Sequence, residues 1–286
     1  MTQVDQNSGI VLVTGATGNV GGELVRQLAA AGEPVRALVR SKRGADKLPS
    51  QIEVATGDLD RPESLAGPLE CVQRIFLLGG HRDMLGLMAQ IQRTGVRHVV
   101  LLSSRSVLGG SASNAIVRMW RASEEAVGSS GVPWTILRSS GFMSNALEWA
   151  QQIRAGDVVR GPFPNVLIAA IDPYDIAAVA AVVLSRPEHE GHAYILSGPK
   201  AILPADRMRI LANVLGRNLR FEGLTEEETK AELRKSNPED FVEAFLRFFA
   251  EGEFDDSEVL PTVQEITGRA PRSFEDWARA HEQLFR

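Results

Sequence analysis

Apolar residues come in short runs early in the chain and at helical spacing later. Ile10–Val13, Val35–Val39, Ile52–Ala55, Arg74–Leu78, His98–Leu102 and Trp134–Leu137 are brief, aliphatic and mostly bounded by Gly, Pro or polar turns. That pattern predicts buried strands. Between them, Val20–Ala31, Pro62–Pro68, Met84–Arg93 and Ala112–Ser129 are predicted helices. Gly32, Gly95 and Gly131 follow helical stretches, where a helix C-terminus favours glycine. Alternation of apolar strands with helices predicts an α/β fold with a parallel sheet covered on both faces. Ligands then bind beyond the carboxyl ends of the strands, where the winding of the sheet reverses.

After Gly141 the rhythm changes. Phe142–Ala155 has a helical pattern, Gly156–Asn165 reads as a loop, Asp172–Ser185 as an apolar helix and Ala193–Ser197 as a strand. The last two are expected to return to the main sheet. Pro204–Leu215, Thr225–Lys235, Pro238–Glu251, Asp256–Thr267 and Ser273–Phe285 read as helices. Ser273 is a candidate N-cap, with Asp276 three residues on. Residues 1–141 plus about 172–198 are thus expected to form a nucleotide domain, and about 142–171 plus 199–286 a smaller, mainly helical lobe. A cleft between the two is a usual place for a small substrate.

The first strand runs straight into Thr14-Gly15-Ala16-Thr17-Gly18-Asn19-Val20-Gly21. Gly15 suits a sharp turn, Gly18 lets a ligand approach the main chain, and Gly21 lets the helix pack near the strand. The helix N-terminus then offers N–H groups and partial positive charge to a pyrophosphate. The spacing is G-x-x-G-x-x-G, and with the strand–helix alternation it predicts a Rossmann-type doubly wound sheet.

The second strand, which in such folds commonly ends in a ribose-binding acid, ends instead in Arg40, followed by Ser41-Lys42-Arg43. Arg40 can fork onto a phosphate and Lys42 or Arg43 can add charge, which favours a 2′-phosphate and hence NADP(H). A solvated basic loop is the alternative. Asp58, after Gly57, is placed to bond an adenine amino group or to cap the helix near Pro62, with Leu59 packing beside the ring. Leu78-Gly79-Gly80 ends the fourth strand with residues small enough to admit a ribose or phosphate.

Size and charge change little in this picture. The chain has 286 residues, a net charge of -5 and one cysteine. Its charge offers no general argument for nucleic acid or a membrane surface. Cys71 reads as a small apolar filler. Residues 1–8 are polar and unlike a secretory signal. No apolar run approaches the roughly 20 residues of a membrane helix. A soluble cytoplasmic protein is expected, and a homo-oligomer is compatible with the sequence.

The glycine loop, Val35–Arg40, Gly57-Asp58, Val99–Ser104, Ile136-Leu137-Arg138 and Tyr194–Pro199 together resemble atypical short-chain dehydrogenase/reductases of the NmrA-like group. The likeness covers most of the chain. That group includes NADPH-dependent quinone and triphenylmethane-dye reductases and redox-sensing regulators. The resemblance implies the fold and dinucleotide binding, and a contact of Ser103 with the cofactor. It also implies a substrate-binding serine at the end of the fifth strand, Ser103 or Ser104.

Short-chain dehydrogenases use a Tyr and a Lys four apart on one helix. The corresponding positions here are Val117 and Arg121, and no Tyr-x-x-x-Lys occurs anywhere. Valine has no proton to give, whereas Arg121 can still bond a nicotinamide ribose. Reducing a ketone benefits from a positioned acid. Hydride transfer to a quinone or conjugated aromatic acceptor gives a delocalised product that water can protonate. The expected function is therefore an NADPH-dependent oxidoreductase for such an acceptor, with Ser104 or His81 orienting it. A nucleotide-sensing regulator without catalysis, or a tailoring reductase or dehydratase of aromatic natural products, is the alternative. Phe142, Met143, Trp149 and Phe163 read either as an aromatic acceptor pocket or as lobe core. His189-Glu190-Gly191-His192 lacks a third ligand, and no metal is expected.

Overall fold

A computed structural model describes residues 9–286, so the polar segment 1–8 lies outside the described residues. The strands are β1 (Ile10–Val13), β2 (Val35–Val39), β3 (Glu53–Thr56), β4 (Val72–Leu78), β5 (His98–Ser104), β6 (Trp134–Ser139), β7 (Val158–Gly161), β8 (His192–Leu196) and β9 (Arg220–Gly223). Seven of them form one sheet in the order β3-β2-β1-β4-β5-β6-β8. β1 pairs in parallel with β2 and β4, β2 with β3, and β4 with β5. The winding reverses between β1 and β4, which marks a doubly wound Rossmann-like sheet.

The helices that follow these strands are α1 (Asn19–Ala30), α2 (Met84–Arg93), α3 (Ser106–Gly109), α4 (Ala115–Gly128), α5 (Ala150–Ala155) and α6 (Pro173–Ser185). The helical C-terminal region holds α7 (Pro204–Leu215), α8 (Glu226–Leu233), α9 (Glu239–Phe249), α10 (Thr262–Thr267) and α11 (Phe274–Ala280). The chain divides into two compact units. One runs to Ser104 and takes in Met119–Arg138 and Pro173–Tyr194; the other takes Arg105–Arg118, Ser139–Asp172 and Ile195–Arg286. In the first, Leu12, Ile75, Leu77, Leu87, Val99 and Leu101 belong to one buried cluster. In the second, Met143, Ile153, Leu211, Trp277 and Phe285 belong to another.

Several expected elements differ. Residues 156–165 are not all loop, because β7 pairs in parallel with β9, more than fifty residues away in sequence. Four residues ending in glycine carry too little pattern to announce such a pairing. The expected helix from Asp256 shrinks to α10, because Pro261 disfavours helical backbone before it. Asp256 is instead buried, accepting from Gly141 N–H at 2.9 Å while its backbone oxygen accepts from Ala169 N–H at 2.7 Å. Pro62–Leu65 and Met143–Trp149 are 3₁₀ turns rather than α-helix. The helix expected from Ala112 begins at Ala115, where the Asn114 side chain accepts from Ile116 N–H at 3.0 Å. Cys71 is exposed, at φ 61°, and fills no core gap. The N-cap reading of Ser273 is met: its side chain accepts from Asp276 N–H at 3.1 Å, and the Asp276 carboxylate accepts from Ser273 N–H at 2.9 Å.

Arg74 and His98 face each other across β4 and β5 and are both buried. Arg74 Nη2 reaches Glu33 Oε2 at 2.7 Å, and His98 Nε2 bonds Thr135 Oγ1 at 2.9 Å. Burial, helped by the Arg74 charge, pushes the His98 imidazole from 6.5 down to about 4. Below the ordinary value the unfolded chain takes up a proton that the folded chain refuses. Stability is therefore full above that value and is lost as pH falls. This residue should contribute a loss of roughly 1.4 kcal/mol per pH unit. Equilibrium denaturation at several pH values should show this slope reduced in His98→Gln; an unchanged slope contradicts the assignment.

Candidate active site

Five strand ends follow one another along the carboxyl edge of the sheet. Asp58 follows β3, Arg40 follows β2 and Gly15 follows β1; Leu78 ends β4 and Ser104 ends β5. The reversal of winding lies between Gly15 and Leu78, where a crevice is expected.

Gly15 has φ 61°, and a Cβ there would stand 2.5 Å from Leu78 Cδ1. Gly18 N–H donates to Gly15 O at 2.8 Å and caps α1 without a side-chain bond. A Cβ on Gly21 would meet Gly15 O at 2.3 Å, so glycine is what lets the helix lie against the turn. Thr17, Gly18 and Asn19 are exposed, while Val20 is buried and anchors the helix in the core. The first turn of α1 has no acidic residue. Its N-terminal amides and dipole are thus presented to an anion. A pyrophosphate fits this cradle.

Arg40, Lys42 and Arg43 are exposed, and among the described residues none of the three is held in an ion pair. They are available to a phosphate. Asp58 Oδ1 accepts from Asp60 N–H at 3.1 Å, which closes a local turn and leaves the carboxylate partly exposed. Leu59, expected beside an adenine ring, is 7% exposed and belongs to the core cluster.

The glycines after β4 serve packing rather than open space. A Cβ on Gly79 would stand 2.9 Å from the Trp120 ring, and one on Gly80 3.3 Å from Met119 Sδ. Gly80 N–H donates to Ser123 Oγ at 2.9 Å. The turn of α4 from Met119 to Ser123 therefore sits directly on the end of β4. His81, next along, is half-buried, with Nδ1 3.3 Å from Asp60 Oδ1. It lines a surface cavity of about 630 Å³ with Met84, Leu85, Ala122 and Glu125.

Ser103 is 2% exposed and donates to Glu124 Oε1 at 2.7 Å. Arg138, in β6, holds the same carboxylate with Nε at 3.0 Å and Nη2 at 2.6 Å. The Ser103 hydroxyl is thus engaged with α4, and Ser104 is the serine of the pair that is not fully buried. Sequence reasoning missed Glu124. The available signal was Arg138, a cation inside an apolar strand that has to find an anion. Arg121 lies in the same turn of α4 as these clamps, half-buried, and Val117, four residues before it, is 0% exposed. The hydroxyl of Tyr194 is bonded to His189 Nδ1 at 2.8 Å.

A family model described as NAD(P)H-binding matches residues 15–187, from the glycine turn past the end of α6. The chain belongs to this NAD(P)H-binding family. It is 41% identical over 281 residues to a (4-alkanoyl-5-oxo-2,5-dihydrofuran-3-yl)methyl phosphate reductase of Streptomyces griseus, covering 96% of this chain and 99% of that one. It is 33% identical to an NAD(P)H azoreductase of Xenophilus azovorans, again over 96% of this chain and 99% of that one. Among solved structures, an NADPH-dependent quinone oxidoreductase of Escherichia coli complexed with NADPH superposes with a TM-score of 0.78 at 23% identity, covering 96% and 100% of the two chains. That likeness confirms the fold. With reductases matching along nearly its whole length, this member of the family is an NAD(P)H-dependent oxidoreductase. Among the described residues no helix is long and apolar enough to cross a membrane.

Replacing Glu124 with alanine leaves Arg138 without its partner in a largely buried place. The expected loss is about 2–4 kcal/mol, the lower end reflecting the partial exposure of Arg138. A double-mutant cycle with Arg138→Met should return a favourable coupling energy. Additive losses would show that the pair contributes nothing of its own.

Proposed function

We propose that the protein delivers hydride from NADPH to a conjugated, electron-poor acceptor of the quinone or azo-arene kind, without a tyrosine acid. The observation that carries this reading is Val117, fully buried where a short-chain dehydrogenase would present its phenol. A hydrocarbon side chain there neither donates nor removes a proton. Hydride addition to a conjugated acceptor leaves a delocalised anion that water protonates afterwards, so proximity and orientation supply the catalysis. The names of both relatives describe reduction of conjugated compounds, an azo compound and an alkanoyl-oxo-dihydrofuran phosphate.

In this reading the amides of Gly15–Gly21 hold the pyrophosphate, with Thr17, Asn19 and Val20 shaping the turn. Arg40 and Lys42 hold the 2′-phosphate, and Asp58 receives the adenine amino group. Leu78 and Gly79 border the nicotinamide half. Arg121 bonds its ribose, and Ser104 or His81 orients the acceptor. The bound nicotinamide supplies the hydride; the protein positions it.

Two measurements test this. NADPH oxidation should occur with members of a panel of quinones, azo dyes and alkanoyl-dihydrofuranones. Tight NADP(H) binding with no turnover on any of them overturns the reading in favour of a nucleotide sensor. Arg40→Ala should weaken NADPH about 10- to 100-fold while leaving NADH within about twofold, the size of a lost charge-assisted hydrogen bond. Equal weakening of both nucleotides would remove Arg40 from the 2′-phosphate.

A further inference from the structure

Phe241, Phe245 and Phe249 recur every fourth residue along α9 and are all half-exposed, whereas Val242, Leu246 and Phe248 beside them on the same helix are buried. Phe249 packs on Phe163 with ring centres 5.2 Å apart and planes tilted by 55°. With Pro164, Val166, Leu224 and Leu246 these two rings wall a cavity of about 250 Å³. The polar residues at it are Asn165, Glu226 and Thr229, and among the described residues no cation lines it.

Phe163 is the unusual member of this wall. Its φ is 53°, a region where a bulky side chain is strained and glycine is free. The loop has little freedom to relax. β7 and β9 pair up to Gly161 and Gly223, and Leu224 N–H donates to Gly161 O at 2.9 Å. Pro164 lies so close to Gly223 that a Cβ there would be 2.7 Å away. Strained residues held by their surroundings cluster at ligand sites. Nor does the ring serve the lobe core. Met143 is buried in that core and Trp149 packs against it, whereas Phe163 stands outside it, half-exposed.

We infer that this cavity is a binding site for a small, planar, uncharged aromatic group. Two tilted rings and a proline face offer the edge and face contacts that such a group prefers. The Glu226 carboxylate at its rim is already paired with Lys230 at 2.6 Å, so what the walls offer a ligand is mainly apolar and leaves a buried anionic group without a partner. The inference does not rest on hydride transfer, because the cavity lies wholly within the unit that holds β7, β9 and α9.

The test is binding of 2-naphthol to the full chain without nucleotide, followed by ligand fluorescence, with 2-naphthoate as the anionic comparator. Val166→Trp, which fills the cavity from a half-exposed position, and Phe163→Gly should each weaken naphthol by about tenfold. Naphthoate should bind more weakly than naphthol to the unsubstituted protein. Unchanged affinity in both variants overturns the site. Should Val166→Trp fail to fold, Phe249→Ala removes the opposite wall and carries the same expectation.

Discussion

The close approach of α1 to the end of β1 is the constraint on which the rest of the site depends. Because a Cβ on Gly21 would stand only 2.3 Å from Gly15 O, this approach cannot be reached with any other residue at that position. That approach aims the first-turn amides past the carboxyl edge of the sheet. In the proposed reading that approach also sets where a diphosphate sits, with one half of the dinucleotide running toward Arg40 and Asp58 and the second half toward Leu78 and the clamped turn of α4.

The second half is held by different physics. On the β4, β5 and β6 side, small residues and a shared carboxylate bring α4 down onto three strand ends. Gly79 and Gly80 admit Met119 and Trp120, Ser123 accepts from Gly80, and Glu124 joins Ser103 to Arg138. Each contact fixes the same two turns of one helix. Val117 and Arg121 are carried on that helix, so these clamps help to place Arg121. The β4–β6 side of the crevice is therefore made rigid by an ion pair and close packing, and the β1 side by close-packed glycine.

The glycine turn, α2, α7 and β1 were legible because each carries a strong local signal: glycines at fixed spacing, an amphipathic period, a proline start or an unbroken apolar run. The 41%-identical relative and the family match agree with what those segments imply. The pairing of β7 with β9 was not legible, since its register is set by contacts far apart in sequence. Leu59 and Ser103 were each expected at the ligand from their position at or just beyond a strand end, and the side chains of both are buried. Spacing along a chain cannot tell a side chain that turns inward to the core, or to Glu124, from one that turns outward. Glu124 was missed for the converse reason: a charged residue on a helix reads as solvated until the strand arginine opposite it is in view. Asp58 was left between two roles, and the structure shows its carboxylate closing a local turn while still partly exposed.

The path of the backbone has a consequence of its own. The chain passes from one compact unit to the other after Ser104, Arg118, Arg138, Asp172 and Tyr194. No single stretch of sequence therefore contains either unit whole. Ribosomal synthesis delivers the glycine turn first and the strand that ends the sheet, β8, only after more than half of the chain has emerged. The nucleotide-binding half must wait, with its sheet unfinished at one edge, for segments that are also needed to build its neighbour. Maturation of the two halves is thereby joined by covalent interleaving, and neither can be trimmed away, duplicated or exchanged as a cassette.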